Sequence, residues 1–300
     1  MEITALDELR IVLDPIGQLG LALALILIMF SISLNLRFQD FAFLLQRRAL
    51  FVTGVFAQTV ALPVITFGLV ILLQPPPSIA LGMFVVACCP GGVVSNFFTY
   101  LAAGNVAYSV SLTATSSALA ALLTPALILF WSQMYEPTAT LLQSVAFDPV
   151  SFLIQTTVLL AAPLTIGMIV AARAPDLAKR LQKRAALAGT LGLAAAIVYG
   201  TAKFLTLLMP ALPMLFFFTI LHNAAAFSTG AVAALLMRAD KPTRRALIFE
   251  VGIQNSGLAI VILLAQFEGL GGAAAIAVVW GIWHLIAGGT LVGAMRRYDI

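Results

Sequence analysis

Apolar residues in this chain do not recur on one helix face; they fill whole stretches. About nine such stretches can be drawn, at roughly 16–36, 50–73, 79–102, 106–131, 150–172, 185–208, 212–237, 246–267 and 271–294. Each approaches or exceeds the roughly 20 residues that a helix needs to cross the hydrocarbon core of a bilayer. Turn-formers mark several of their edges, among them Gln74-Pro75-Pro76-Pro77, Met209-Pro210 and Gly269-Leu270-Gly271. The pattern predicts an all-α polytopic membrane protein with about nine transmembrane helices.

Two of these stretches are interrupted at their centres. The third carries Cys88-Cys89-Pro90-Gly91-Gly92-Val93-Val94-Ser95-Asn96. Proline removes a backbone donor and clashes with the carbonyl four residues back, and the glycine pair does nothing to resist the break. The eighth carries Glu250-Val251-Gly252-Ile253-Gln254-Asn255-Ser256-Gly257. Unpaired backbone groups are costly in hydrocarbon, so such breaks persist only within protein or beside a polar cavity. The interrupted stretches are five spans apart and therefore run in opposite directions, as in inverted-topology repeats that hold a site at their interface. The implied division is an extracytoplasmic N-terminal segment 1–15, a first repeat of four spans over 16–131 and an external loop 132–149. A second repeat of five spans covers 150–295, followed by a cytoplasmic tail at 296–300.

Composition supports the membrane reading. The chain is 62% hydrophobic and 9% charged, against about 25% charged in soluble domains. Its basic residues occupy short loops between apolar stretches, which sets topology and argues against nucleic-acid binding. One set of alternate loops holds Arg37, Arg47, Arg48, Arg173, Lys179, Arg180, Lys183, Arg184, Arg238, Lys241, Arg244, Arg245, Arg296 and Arg297 against few acids. The other set holds Glu2, Asp7, Glu8 and Asp14 against Arg10, then Glu136, Asp148 and Glu268. The positive-inside rule places the N-terminus outside and the C-terminus in the cytoplasm. The polar, acidic start does not read as a cleavable leader. Adjacent Cys88 and Cys89 are poorly placed to bridge each other, so free thiols are expected.

Glu250 is the acidic side chain inside an apolar run, and a carboxylate there is a functional-site hypothesis. A competing reading puts it at the interface, paired with Arg244 or Arg245. Asn105, Ser109, Thr113 and Ser117 recur every four residues, with Thr124 further on, and so share a helix face. They read either as packing glue between helices or as a wall of oxygen ligands. Gln58, taken alone, reads as a helix–helix hydrogen bond. Lys203 sits near the outer end of its span, where snorkelling accounts for it and substrate contact is the alternative. His222 and His284 read as structural hydrogen-bonding groups or as a proton relay. Carboxylate, amide, hydroxyl and freed carbonyl oxygens suit a hard monovalent cation. No soft-metal ligand spacing, nucleotide loop or hydrolase triad can be drawn, so neither an enzyme nor an organic cofactor is expected.

These residues resemble the bile acid:sodium symporter family. The likeness runs through Cys88-Cys89-Pro90-Gly91-Gly92, Ser95-Asn96, Thr99-Tyr100-Leu101, Gly104-Asn105, Ser109, Thr113 and Thr124-Pro125. It resumes at Leu221-His222-Asn223, continues from Glu250 to Ala259 and reaches Trp283-His284. The resemblance implies two discontinuous helices crossing at their unwound centres, in a core domain that moves against a panel made of the first, fifth and sixth spans. It implies two sodium ions, one held by Ser95, Asn96, Ser109, Thr113 and Glu250. The other would be held by Gln58, Glu250, Gln254 and the backbone carbonyls of Val251 and Ile253. The implied substrate region comprises Gly92, Val93, Asn255, Ser256 and His284. This chain has Val93 where some relatives have Thr and Leu285 where some have Asn.

The expected function is sodium-coupled symport of an organic anion, bile-acid-like or a small carboxylate, by alternating access. The expected setting is a bacterial inner membrane, with the lipid bilayer as partner and no obligate protein partner. Alternatives are a proton-coupled or facilitative carrier in which Glu250 titrates, and a membrane ligand sensor without transport.

Overall fold

In the computed structural model the described residues are Asp7, 15–35, 48–145, 147–267 and 269–298, with backbone alone at 15–16 and 200–208. The orienting charges Glu2, Glu8, Arg10, Asp14, Arg37, Asp40, Arg47 and Glu268 lie outside them, as does the side chain of Lys203.

The described residues form α1 (Pro15–Ser33), α2 (Arg48–Leu73), α3 (Pro77–Cys88), α4 (Val93–Leu101), α5 (Val106–Met134) and α6 (Glu136–Ser144). There follow α7 (Pro149–Arg173), α8 (Pro175–Leu208), α9 (Leu212–Leu236), α10 (Lys241–Gly252), α11 (Ser256–Gln266) and α12 (Gly271–Tyr298). Among the described residues, five helices are long and apolar enough to cross a membrane: α2, α5, α7, α12 and the segment Met209–Leu236 that contains α9. Shorter apolar helices are Gly17–Ser33, Pro77–Cys88 and Ser256–Gln266. The third and eighth apolar stretches therefore each resolve into a pair of helices, α3–α4 and α10–α11.

Local chemistry sets the boundaries. Pro77 opens α3 after an extended Pro76, where its missing N–H is no loss. Asp148 caps α7, accepting from Ser151 Oγ at 2.5 Å and from the Val150 amide at 3.0 Å. These bonds, the side-chain one foremost, hold its carboxyl below the usual carboxylate range. In α2, Pro63 offers no donor to the carbonyl of Thr59, and a π turn over Ala57–Ala61 accommodates the mismatch.

Helix α1 packs against α7 and α8, which also touch each other. The other helices gather around the broken pairs: α3 lies against α5 and α12, α4 against α5 and α10, and α9 against α10 and α12. Phe98 of α4 stacks on Phe249 of α10 with ring centroids 5.8 Å apart.

Several segments expected as loops are helical. The segment 132–149 contains α6, opened by Glu136-Pro137. The charged run from Asp176 to Arg184 forms the first turns of α8, because Leu, Ala, Lys, Arg and Gln are all good helix formers. The same holds for Lys241 to Arg245, which begin α10. Arg245 does not neutralise Glu250. It is buried and donates to the carbonyls of Ala102 at 2.9 Å and Met295 at 3.3 Å, tying the end of α4 to α12. Arg245→Met strands both carbonyls. It is expected to destabilise the protein by about 2 kcal/mol or more, read as a lower midpoint in thermal unfolding.

Candidate cation site at the helix crossing

The two breaks meet. Cys89, forced into an extended conformation by the proline that follows it, ends α3, and Gly92 is extended ahead of α4. In the second break Ile253 is extended, and Asn255 caps α11 by accepting from the Leu258 amide at 3.0 Å. Gly91 and Gln254 pair as an isolated antiparallel bridge, and the Asn255 amide donates to the Pro90 carbonyl at 2.9 Å.

Most of the carbonyls freed by the breaks have found donors, as a low-dielectric setting demands. Thr124 Oγ1 donates to the Cys88 carbonyl at 2.8 Å, and Asn223 Nδ2 to the Gly252 carbonyl at 2.8 Å. Gln254 Nε2 reaches the Val251 carbonyl at 2.8 Å, and Gln58 Nε2 lies 3.4 Å from the Glu250 carbonyl. The Gly92 carbonyl accepts from both the amide and the hydroxyl of Ser95. Thr124 and Asn223 stand at corresponding places in the two breaks, a role that residue type alone does not signal.

The carboxylate of Glu250 is wholly buried at this crossing. Its Oε1 receives Ser95 Oγ and Ser109 Oγ, each at 2.5 Å, while Thr113 Oγ1 lies 2.8 and 2.9 Å from its two oxygens. Asn96 Oδ1 joins the group, 2.7 Å from Ser109 Oγ and 3.2 Å from Thr113 Oγ1. Thr99 Oγ1 is 3.2 Å from Ser109 Oγ. A hydroxyl has one proton to give. Ser95, Ser109 and Thr113 each face at least two acceptor oxygens, so the cluster holds more lone pairs than protons, around a negative charge. Such an excess of lone pairs around a negative charge suits a cation.

A second group lies beside the first. The side-chain carbonyls of Gln58 and Gln254 are buried and have no hydrogen-bond donor among the described residues. Gly91 separates the chains here: a Cβ on it would lie 2.9 Å from both Gln58 Nε2 and Glu250 Oε2. Val251 and Ile253 are buried alongside.

The polar stripe on α5 divides by function. Ser109 and Thr113 face the carboxylate and Thr124 holds the Cys88 carbonyl. Asn105 is the N-cap, accepting from the Tyr108 amide at 3.1 Å. Ser117 is buried outside the carboxylate's hydrogen bonds. His222 Nε2 pairs with Thr66 Oγ1 at 2.9 Å, and the ring of Trp280 contacts the rings of both His222 and His284.

A cavity of about 330 Å³ opens beside the crossing, and Gly92, Val93, Asn255, Ser256 and His284 all line it. Its opposite wall comes from α1 and α8, through residues such as Ser31, Gln182 and Thr190. Sequence reasoning missed this wall. Its signal is polar residues spaced by multiples of four within helices otherwise read by their charge or apolarity.

A family model described as the Sodium Bile acid symporter family matches residues 22–229. The chain belongs to that family. Among similar proteins is the uncharacterized sodium-dependent transporter YocS of Bacillus subtilis (strain 168). It is 33% identical over 86% of this chain and 77% of its own length. The chain is also 32% identical to the probable chloroplastic sodium/metabolite cotransporter BASS1 of Oryza sativa subsp. japonica, over 81% of this chain and 58% of that one. The human ileal sodium/bile acid cotransporter is 27% identical over 71% of this chain and 60% of its own length. This member of the sodium bile acid symporter family is a multi-pass membrane protein of a transporter class, not an enzyme. Its relatives are sodium-dependent, which supports sodium use here.

Proposed function

We propose that this protein is a sodium-coupled symporter of an organic anion that works by alternating access. The observation that carries the reading is the buried Glu250 carboxylate, ringed by hydroxyl and amide oxygens that cannot all be satisfied by their own protons. One sodium ion is assigned to Ser95, Asn96, Ser109, Thr113 and Glu250. A second is assigned to Glu250, the unpartnered amide oxygens of Gln58 and Gln254, and the carbonyls of Val251 and Ile253. Hard monovalent cations take such oxygen sets, and the carboxylate offsets their charge.

The anion is assigned to the cavity beside the crossing. Helices α4 and α11 both begin there, and helix N-termini favour negative charge. Asn255 and Ser256 supply polar contacts, His284 a further one, and Gly92 and Val93 complete the lining. In this reading the chain has nine spans in two inverted repeats, with its N-terminus outside a bacterial inner membrane. Helices α1, α7 and α8 pack on one another, which supports their acting as the panel against which the core moves. Sodium orders the crossing and raises anion affinity, and by linkage the anion raises sodium affinity by the same factor.

Thermal unfolding of the detergent-purified protein tests the ion sites. Sodium should raise the midpoint progressively as its concentration passes the dissociation constant, and potassium at equal ionic strength should not. Superimposable sodium and potassium curves would instead favour a proton-coupled or facilitative carrier.

A further inference from the structure

A groove of about 350 Å³ runs between α2 and α9, lined by residues including Phe56, Ala57, Ile65, Ala225, Val232 and Leu236. Thr66 of α2 meets His222 of α9, and the groove joins earlier residues of α2 to later residues of α9. The two helices are therefore antiparallel, and the start of α2 shares an end with the finish of α9. The groove's length along α2, from Thr53 to Ile65, is about 18 Å at the helical rise per residue. Its lining is almost wholly apolar. Phe56, Val232 and Leu236 are 55, 53 and 77% exposed, as suits residues that face hydrocarbon rather than water.

The helix ends beyond this end of the groove are basic. Arg48, the first residue of α2, is exposed, and so is Arg238, two residues past the end of α9. Arg238 sits at φ 50, a left-handed conformation in which glycine would be more comfortable. We infer that this groove is a binding site for an anionic phospholipid, its acyl chain along α2 and α9 and its phosphate between Arg48 and Arg238. Apolar length sized to an acyl chain, with two exposed arginines on the helix ends beyond one end of it, is an arrangement suited to a charged lipid between membrane helices. Ala57 in the groove floor belongs to the π turn that also carries Gln58. The bound chain thus props the turn from which Gln58 reaches toward Glu250.

The test is thermal unfolding of the full detergent-purified protein in potassium buffer, with phosphatidylglycerol or phosphatidylcholine added. Working in potassium makes the outcome independent of whether the protein binds sodium. Phosphatidylglycerol should raise Tm by about 4 °C or more, and phosphatidylcholine by much less. Ala225→Phe, which fills the groove, should abolish the difference between the lipids. So should the pair Arg48→Gln and Arg238→Gly; both side chains are exposed and the glycine suits its backbone, so that variant folds even if the groove variant does not. Equal shifts from the two lipids, or a phosphatidylglycerol effect that survives both variants, would overturn the proposal. A lipid-insensitive protein that sediments as a dimer, and as a monomer with Ala225→Phe, would assign the groove to a second copy of the chain instead.

Discussion

Glu250→Gln is expected to lower sodium-driven anion uptake by on the order of 100-fold while leaving the protein folded. Glutamine keeps the shape of the side chain and one acceptor oxygen, so Ser95 and Ser109 retain a partner near the 2.5 Å positions they now occupy. What disappears is the negative charge. Removing one member of a buried, hydrogen-bonded charge pair costs about 3 kcal/mol, which is the stated loss when expressed as an affinity. Because Glu250 is shared by both proposed ion positions, the loss should fall on both. In potassium, the variant's thermal midpoint should stay close to that of the parent, and the further rise caused by sodium should vanish. Sodium-dependent uptake equal to the parent's would remove Glu250 from the ion sites.

The second large effect comes from a residue with no side chain. Gly91→Ala would place a methyl group 2.9 Å from Gln58 Nε2 and Glu250 Oε2, and 3.3 Å from the Glu250 carbonyl. Two of those atoms end flexible side chains, so the fold yields by moving them rather than by coming apart. A stability loss of about 1 kcal/mol is expected. The apparent sodium affinity, read from the midpoint shift across a sodium titration, should fall at least about tenfold, because ligand oxygens must be held within a fraction of an ångström. The neighbouring glycine is the control. A Cβ on Gly92 meets nothing closer than 3.8 Å, so Gly92→Ala should titrate with sodium like the parent. Equal titrations for all three proteins would mean that the space at Gly91 serves packing alone.

Proline, paired glycines and a lone carboxylate inside apolar stretches made the two breaks legible in the sequence. They are legible because each residue has few inexpensive homes in hydrocarbon. That the breaks cross was what the family resemblance implied, but the hydrogen bond from Asn255 to Pro90 could not be read from either segment. The stripe on α5 showed a shared face without showing that Asn105 caps the helix while Thr124 serves a broken one, since hydroxyl and amide groups announce no partner. Charge pattern located loops by their arginines and lysines. It missed that Lys241–Gly252 is one helix, because those residues propagate a helix as readily as they populate a loop. The cavity wall from α1 and α8 left only a faint signal for a related reason: its polar residues are few, and the facing helices come from distant parts of the chain.

The bridge between Gly91 and Gln254 is made of main-chain atoms. Exchanging the side chains at Val93, Asn255 or Ser256 therefore leaves it standing, whereas inserting or deleting one residue between Cys88 and Ser95 moves every partner out of step. On the proposed assignment of the anion to the adjoining cavity, cargo preference can change by single substitutions while the length of the interrupted segment stays fixed. Divergence among descendants of such a scaffold should accordingly accumulate as substitutions at the cavity lip, with gaps in alignment falling almost anywhere else.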